Sequence, residues 1–112
     1  MNPIGSDSKV LLRALDGLAL RHRVVASNLA NQSTPGFKRY EVSFEDQLER
    51  AARGGSFEPK VTRDTEGGDA DGNNVVPERE VGTLTRVEIV YRTLSQALTM
   101  KSALMRAALT SR

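Results

Sequence analysis

The sequence predicts a mainly α-helical protein in which two long heptad-patterned helices, one toward each end of the chain, pair as a coiled-coil-like hairpin. Leu11, Leu15, Leu18, Val25 and Leu29 advance in alternating steps of four and three, with His22 filling the one gap in the seam. Leu84, Val87, Tyr91, Leu94, Leu98, Met105 and Ala108 repeat the rhythm, interrupted at Lys101, whose aliphatic stem or the neighbouring Ser102 must cover the seam. Between these stripes, residues 54–76 are poor in apolar side chains, rich in acids and broken by Gly67-Gly68, the composition of a flexible linker. Two one-sided helices of this kind bury their stripes by packing on each other.

The elements follow in order within one domain, residues 1–112. The N-terminal helix is expected over residues 8–31, with Ser6, Asp7 and Ser8 all competent N-caps and a length of about 35 Å. Thr34-Pro35-Gly36-Phe37 ends it. Pro35 presets φ for the second position of a turn, Gly36 supplies the positive φ of a type II third position, and the proline drives Thr34 out of helical space. Asn28, Asn31 and Ser33 are placed to bond the backbone groups left orphaned at the helix end. Residues 32–53 then hold the turn, a short extended segment in which Tyr40, Val42 and Phe44 alternate with polar residues, and a short helix. Ser43 and Asp46 suggest a capping box for that helix, and Gly54-Gly55 stops it. After the linker at 54–76, the C-terminal helix is expected over 77–110. Pro77 suits a first helical position, with Glu78 and Glu80 favourable to the dipole; Thr83 and Thr85 are rival starts beyond Gly82, the latter forming T-x-x-E with Glu88.

Composition limits what such a chain does alone. With 112 residues, 38% apolar, 4% aromatic and no Trp, it has little from which to build a large core. Apolar residues off the seam, among them Leu12, Leu20, Val24, Ile89, Val90 and Leu104, are expected to face other subunits. There is no Cys, which excludes disulfides, thiolate metal sites and a thiol nucleophile. The apolar run Val10-Leu11-Leu12 is cut by Arg13, so neither a signal-peptide core nor a membrane span is expected there, and export is expected to need a dedicated machine without a cleaved signal. Net charge is +2, but the first forty residues carry six Lys/Arg against two Asp, the next forty five against eleven acids, and the remainder five against one Glu. Basic helices packed side by side call for acidic surface beside them, from the middle segment or from a neighbour.

Few residue groups suggest chemistry. A single His and no Cys speak against a nucleophilic triad or a multi-His metal site, and His22 reads as a seam residue. Asp69, Asp71, Asn73 and Glu80 fall at positions 1, 3, 5 and 12 of a calcium-loop template, but Asn74 stands where that loop needs Gly, so the stretch reads as a turn delivering a helix cap. Lys and Arg spread around the helices instead of clustering, which speaks against nucleic acid, and no Trp or Phe marks a membrane-facing stripe. No cofactor, metal, nucleic acid, membrane insertion or small-molecule substrate is expected, and an enzyme is the least favoured class.

The spaced signature Asn28-x-x-Asn31-x-x-Thr34-Pro35-Gly36-Phe37-Lys38, directly after an amphipathic helix, resembles that of the bacterial flagellar axial proteins, the family of rod, hook and filament-junction subunits. Asp71-Gly72-Asn73-Asn74-Val75 before the C-terminal helix, together with the short length, is similar to the proximal-rod members; Val76-Pro77 and Gly82 depart from their pattern. The resemblance implies a structural subunit of the flagellar basal-body rod, in the periplasmic space, exported by the flagellar type III apparatus and needed for assembly and torque transmission. Its implied partners are other rod subunits, further copies of itself and basal-body or export-gate components. In this scheme Leu11, Leu15, Leu18, Val25 and Leu29 with Leu84, Val87, Tyr91, Leu94 and Leu98 hold the helix pair. Asn28, Asn31, Thr34, Pro35, Gly36 and Phe37 set the turn and the intersubunit contacts. Another short rod-type subunit, or a helical adaptor unrelated to flagella, remains the alternative.

Overall fold

The computed structural model describes residues 3–110. In it the chain forms α1 (Pro3–Ala30), β1 (Tyr40–Ser43), a single 3₁₀ turn (Glu45–Gln47), α2 (Leu48–Ala52), β2 (Lys60–Arg63) and α3 (Pro77–Thr110). The architecture is mainly helical, with two long helices and one small antiparallel sheet. α1 and α3 run antiparallel: Asp7 meets Lys101 at 3.4 Å, His22 meets Glu88 at 3.3 Å, and Asn28 meets Glu80 at 2.7 Å. The molecule is correspondingly long and thin, 68 × 25 × 13 Å.

Several boundaries differ from expectation. α1 starts at Pro3, earlier than residue 8, because a proline at the first helical position has no amide to leave unpaired. Asp7 and Ser8 therefore lie inside the helix and do not cap it, and the side chain of Ser6 lies outside what the structure describes. The 3₁₀ turn is entered from Phe44 with no side-chain cap bond, so Ser43 and Asp46 form no capping box. α2 closes in a Schellman arrangement: Gly54, at φ +86°, donates to the Ala51 carbonyl and Gly55 to that of Arg50. α3 begins at Pro77 and continues through Gly82, so neither Thr83 nor Thr85 is its start.

The acidic stretch after Gly54, expected as a flexible linker, holds a strand. β2 pairs antiparallel with β1 in the register Tyr40↔Arg63, Glu41↔Thr62, Val42↔Val61 and Ser43↔Lys60. The Gln47 carboxamide extends the ladder, accepting from the Glu58 amide and donating to its carbonyl, both at 2.6 Å. One side chain thus replaces a strand residue where β1 has already turned away.

The core lies where this small sheet and α2 lie on the helix pair. Leu18, Val42, Phe44 and Val87 form its centre, with Leu20, Val24, Leu48, Phe57 and Leu94 packed against it. Leu20 and Val24 are therefore taken up within the chain, contrary to the expectation that they face other subunits. Phe44 enters because α1 carries Gly17 beneath it: a Cβ at that position meets three ring carbons at 2.5 to 2.7 Å. The Arg21 guanidinium covers the ring 4.7 Å from its centroid, and Phe57 meets it edge-on at 6.2 Å.

Candidate functional site

Thr34-Pro35-Gly36-Phe37 forms the turn its sequence specifies, with the Phe37 amide donating to the Thr34 carbonyl at 3.2 Å and Gly36 at φ +76°. Asn31 finishes α1. Its Nδ2 donates to the Ser27 carbonyl at 2.8 Å and its Oδ1 accepts from the Thr34 hydroxyl at 3.1 Å. Asn28 points the other way, into the molecule, where it is fully buried. Its Oδ1 accepts from the Tyr40 amide at 3.0 Å, and its Nδ2 donates to the Tyr40 carbonyl at 2.9 Å and to Glu80 at 2.7 Å. One amide thus ties α1 to the outer side of β1 and to the first turns of α3.

The second half of the site is Asp71-Gly72-Asn73-Asn74, laid against the first turn. Asn73 Nδ2 donates to the carbonyls of Asn31 and Thr34 at 2.9 and 2.8 Å, while the Gly36 amide donates to the Asp71 carbonyl at 2.8 Å. A Cβ on Gly72 sits 3.4 Å from the Gly36 Cα, so the two turns touch backbone to backbone. Asn74 accepts from the Arg39 amide at 2.7 Å and donates to the carbonyls of Asp64 and Glu66. Every side-chain polar atom buried among the described residues has a partner, which is the condition for polar groups to survive in a core.

Glu80, expected as a dipole-facing residue at the start of α3, is fully buried. It accepts from Asn28 and from Arg39 Nε at 3.0 Å. Arg39 is itself buried and reaches Asp64 at 3.2 Å and Glu41 as well. Burial works against the Arg39 charge, yet its bonds to Glu41, Glu80 and Asp64 outweigh it and raise its pKa above the ordinary arginine value. The Glu66 amide, more than the Arg39 guanidinium, holds Asp64 below the usual carboxylate range. At the neighbouring face Arg21 grips Glu45 with both terminal nitrogens, at 2.6 and 2.8 Å, and donates to the Val42 carbonyl at 2.7 Å. That grip lowers the Glu45 pKa to about 2.

The apolar stripes divide. Leu18, Val25 and Val87 are buried, Leu11, Leu15, Leu29, Leu84, Leu94 and Leu98 are half-buried, and Tyr91 is 41% exposed. Leu12, Ile89, Val90, Met100 and Leu104 stand open to solvent. Two open grooves flank the helix pair: about 480 Å³ bordered by Ala14, Phe44, Val90 and Leu94, and about 620 Å³ bordered by Ala19, His22, Tyr91 and Arg92. Among the described residues no cluster of three or more His, Asp or Glu is placed to hold a metal, and no helix is long and apolar enough to cross a membrane.

Sequence reasoning missed Arg39, Asn73 and Asn74 as site residues, and it read Glu80 only as a carboxylate favourable to the helix dipole. Asn73 and Asn74 had a signal, since two adjacent amides after a Gly turn are more than a cap needs. Glu80 had none, because its partners Arg39 and Asn28 are distant along the chain.

One turn is thus locked to a second turn between two long helices that leave Leu12, Ile89, Val90 and Leu104 open to solvent. Residues 9–38, the α1 and turn segment, match the family described as flagella basal body rod protein. The chain is similar to the flagellar basal body rod protein FlgB of Borrelia hermsii, 59% identical over 39 residues that make up 35% of this chain and 29% of that protein. It is also similar to the FlgB of Borreliella burgdorferi, 54% identical over the same shares. The matched stretch spans less than a third of either relative.

Proposed function

We propose that this chain is a structural subunit of the bacterial flagellar basal-body rod, of the proximal type, acting in flagellum assembly and torque transmission. The observation that supports this most is the matched segment itself: residues 9–38 contain the helix end and turn that Asn73 and the Gly36–Asp71 bond fasten to the start of α3. Lengthwise pairing of α1 and α3 as a coiled-coil-like hairpin gives an elongated rod element. Leu18, Val25 and Val87 of the stripes are buried, and Leu12, Ile89, Val90, Leu104 and the exposed Tyr91 are left for neighbouring rod subunits or further copies. Burial of those faces on joining neighbours favours the assembled state over the free subunit. In this role Asn31, Thr34, Pro35, Gly36 and Phe37 set the angle at which the chain leaves the helix pair and supply contacts between subunits, while the buried Asn28 holds the turn from within the chain.

An in-frame deletion in the source bacterium tests this directly, scored for swimming and for hook-basal bodies by electron microscopy, with plasmid complementation. Nonmotile cells lacking a rod, restored by the intact gene, are expected. Motile cells with intact basal bodies and no second gene copy refute the proposal.

A further inference from the structure

The two edges of the β1–β2 ribbon are treated differently. In an antiparallel pair, opposed residues alternate between those that bond each other and those whose amides and carbonyls point away. The Asp64 amide bonds the Arg39 carbonyl, so in this register Glu41↔Thr62 also bond each other, while Tyr40, Val42, Val61 and Arg63 point outward. On the β1 side those outward groups are used: Asn28 takes the Tyr40 amide and carbonyl, and Arg21 takes the Val42 carbonyl. On the β2 side the amides and carbonyls of Val61 and Arg63 have no partner among the described residues, and all four residues of β2 are exposed. Pro59 precedes them at the same outward parity, where its missing N–H leaves the ladder intact.

We propose that this edge is a docking site for an extended, acidic segment of a partner protein, which adds as a third antiparallel strand. Backbone bonds to Val61 and Arg63 supply the attachment. Charge selects the partner. Lys60 and Arg63 flank the open groups, and neither forms an ion pair among the described residues. The nearby Asp64 carboxylate is engaged by Arg39. A second copy of β2 is the wrong occupant, since antiparallel self-pairing crowds two Lys60 and two Arg63 into one short ribbon. A strand with a carboxylate opposite Arg63, another near Lys60 and an apolar residue opposite the half-exposed Val61 meets all three. The proposal does not depend on the rod assignment.

The test uses the full chain labelled with ¹⁵N and a synthetic probe, acetyl-Gly-Glu-Thr-Val-Glu-Gly-amide, whose two Glu and Val fall opposite Arg63, Lys60 and Val61 in antiparallel pairing, with its Lys-for-Glu counterpart as control. Binding of the acidic probe is expected to shift the Val61 and Arg63 amide resonances and slow their hydrogen exchange, with the basic probe at least ten-fold weaker. Val61→Pro removes one outward amide and leaves the bonds of Thr62 to β1 in place. It is expected to weaken the acidic probe at least ten-fold while Thr62 keeps its exchange protection. The double substitution Lys60→Glu with Arg63→Glu is expected to invert the preference between probes. Shifts confined to other segments, equal binding by Val61→Pro, no binding at millimolar probe, or concentration-dependent protection of Val61 in the protein alone each overturn the proposal, the last by making the occupant a second copy.

Discussion

Alanine at position 17 is expected to destabilise this protein although alanine is the better helix former. Inside a helix the exchange of Gly for Ala contributes about 1 kcal/mol in favour of folding. Against that, the new Cβ lies 2.5 Å from Cγ and Cδ2 of Phe44 and 2.7 Å from Cδ1, where carbons in contact rest at roughly 3.5–4.0 Å. The ring has to retreat by about 1 Å, and it is enclosed: Phe44 is 2% exposed, with Arg21 over its face and Phe57 at its edge. Overpacking of a filled core costs about 1–3 kcal/mol. A clash with three ring atoms belongs in the upper part of that range, leaving a net loss of roughly 1–2 kcal/mol after the helix gain. Thermal unfolding followed by circular dichroism is expected to show Tm lowered by about 5–10 °C. The same substitution in a Phe44→Leu background, where the ring is gone, is expected to be neutral or stabilising. An unchanged or higher Tm for Gly17→Ala in the intact protein refutes the packing account.

Glu80→Ala strands the buried Arg39 and is expected to cost about 3 kcal/mol, the lower end for breaking a buried pair because Asp64 and Glu41 still hold the guanidinium; urea titration measures it, and a loss under 1 kcal/mol contradicts the role given to this pair. Gly36→Val at φ +76° is expected to strain the turn by about 1–3 kcal/mol and impair swimming, whereas Gly36→Asn, which tolerates that conformation, is expected to stay close to wild type; full motility with valine tells against the turn's part in assembly. Glu45 has its folded pKa lowered from 4.5 to about 2, so the stability it contributes is fully present above pH 4.5 and is lost as pH falls through 2. Glu45→Gln is expected to flatten the acid limb of the stability profile in that window, and an unaltered limb rejects the Arg21 grip as its cause.

Local chemistry was legible in the sequence and distant pairing was not. The Thr34-Pro35-Gly36-Phe37 turn and the end of α2 at Gly54-Gly55 were readable because a few adjacent residues fix φ and remove donors. Along the rhythm of α3, Val87 is buried, Leu84, Leu94 and Leu98 are half-buried and Tyr91 is exposed, since periodicity names a face without saying how much lies against it. β2 was invisible for a physical reason: Lys60-Val61-Thr62-Arg63 is an edge strand exposed along its whole length, so it carries no alternation of apolar and polar residues. The inward turn of Glu80 was equally hidden, because a carboxylate in the first turns of a helix satisfies the dipole rule whether it faces water or Arg39.

The uneven thickness of the molecule has a consequence for its motions. Around Leu18, Val25 and Val87 the helix pair is covered by the sheet and by Phe44, and the side-chain bonds of Asn28, Arg39, Asn73 and Glu80 gather there. Beyond Leu98 only the two helices remain, and Met100, Leu104 and Leu109 are largely bare. Regions with few buried apolar contacts open at lower free energy than the core, so amide exchange in α3 is set to slow progressively from its C-terminal turns toward Val87. The same long helix then serves as an anchored stem with a pliant tip, stiff where the turns clasp it and able to adjust its shape where it meets whatever stands beside it.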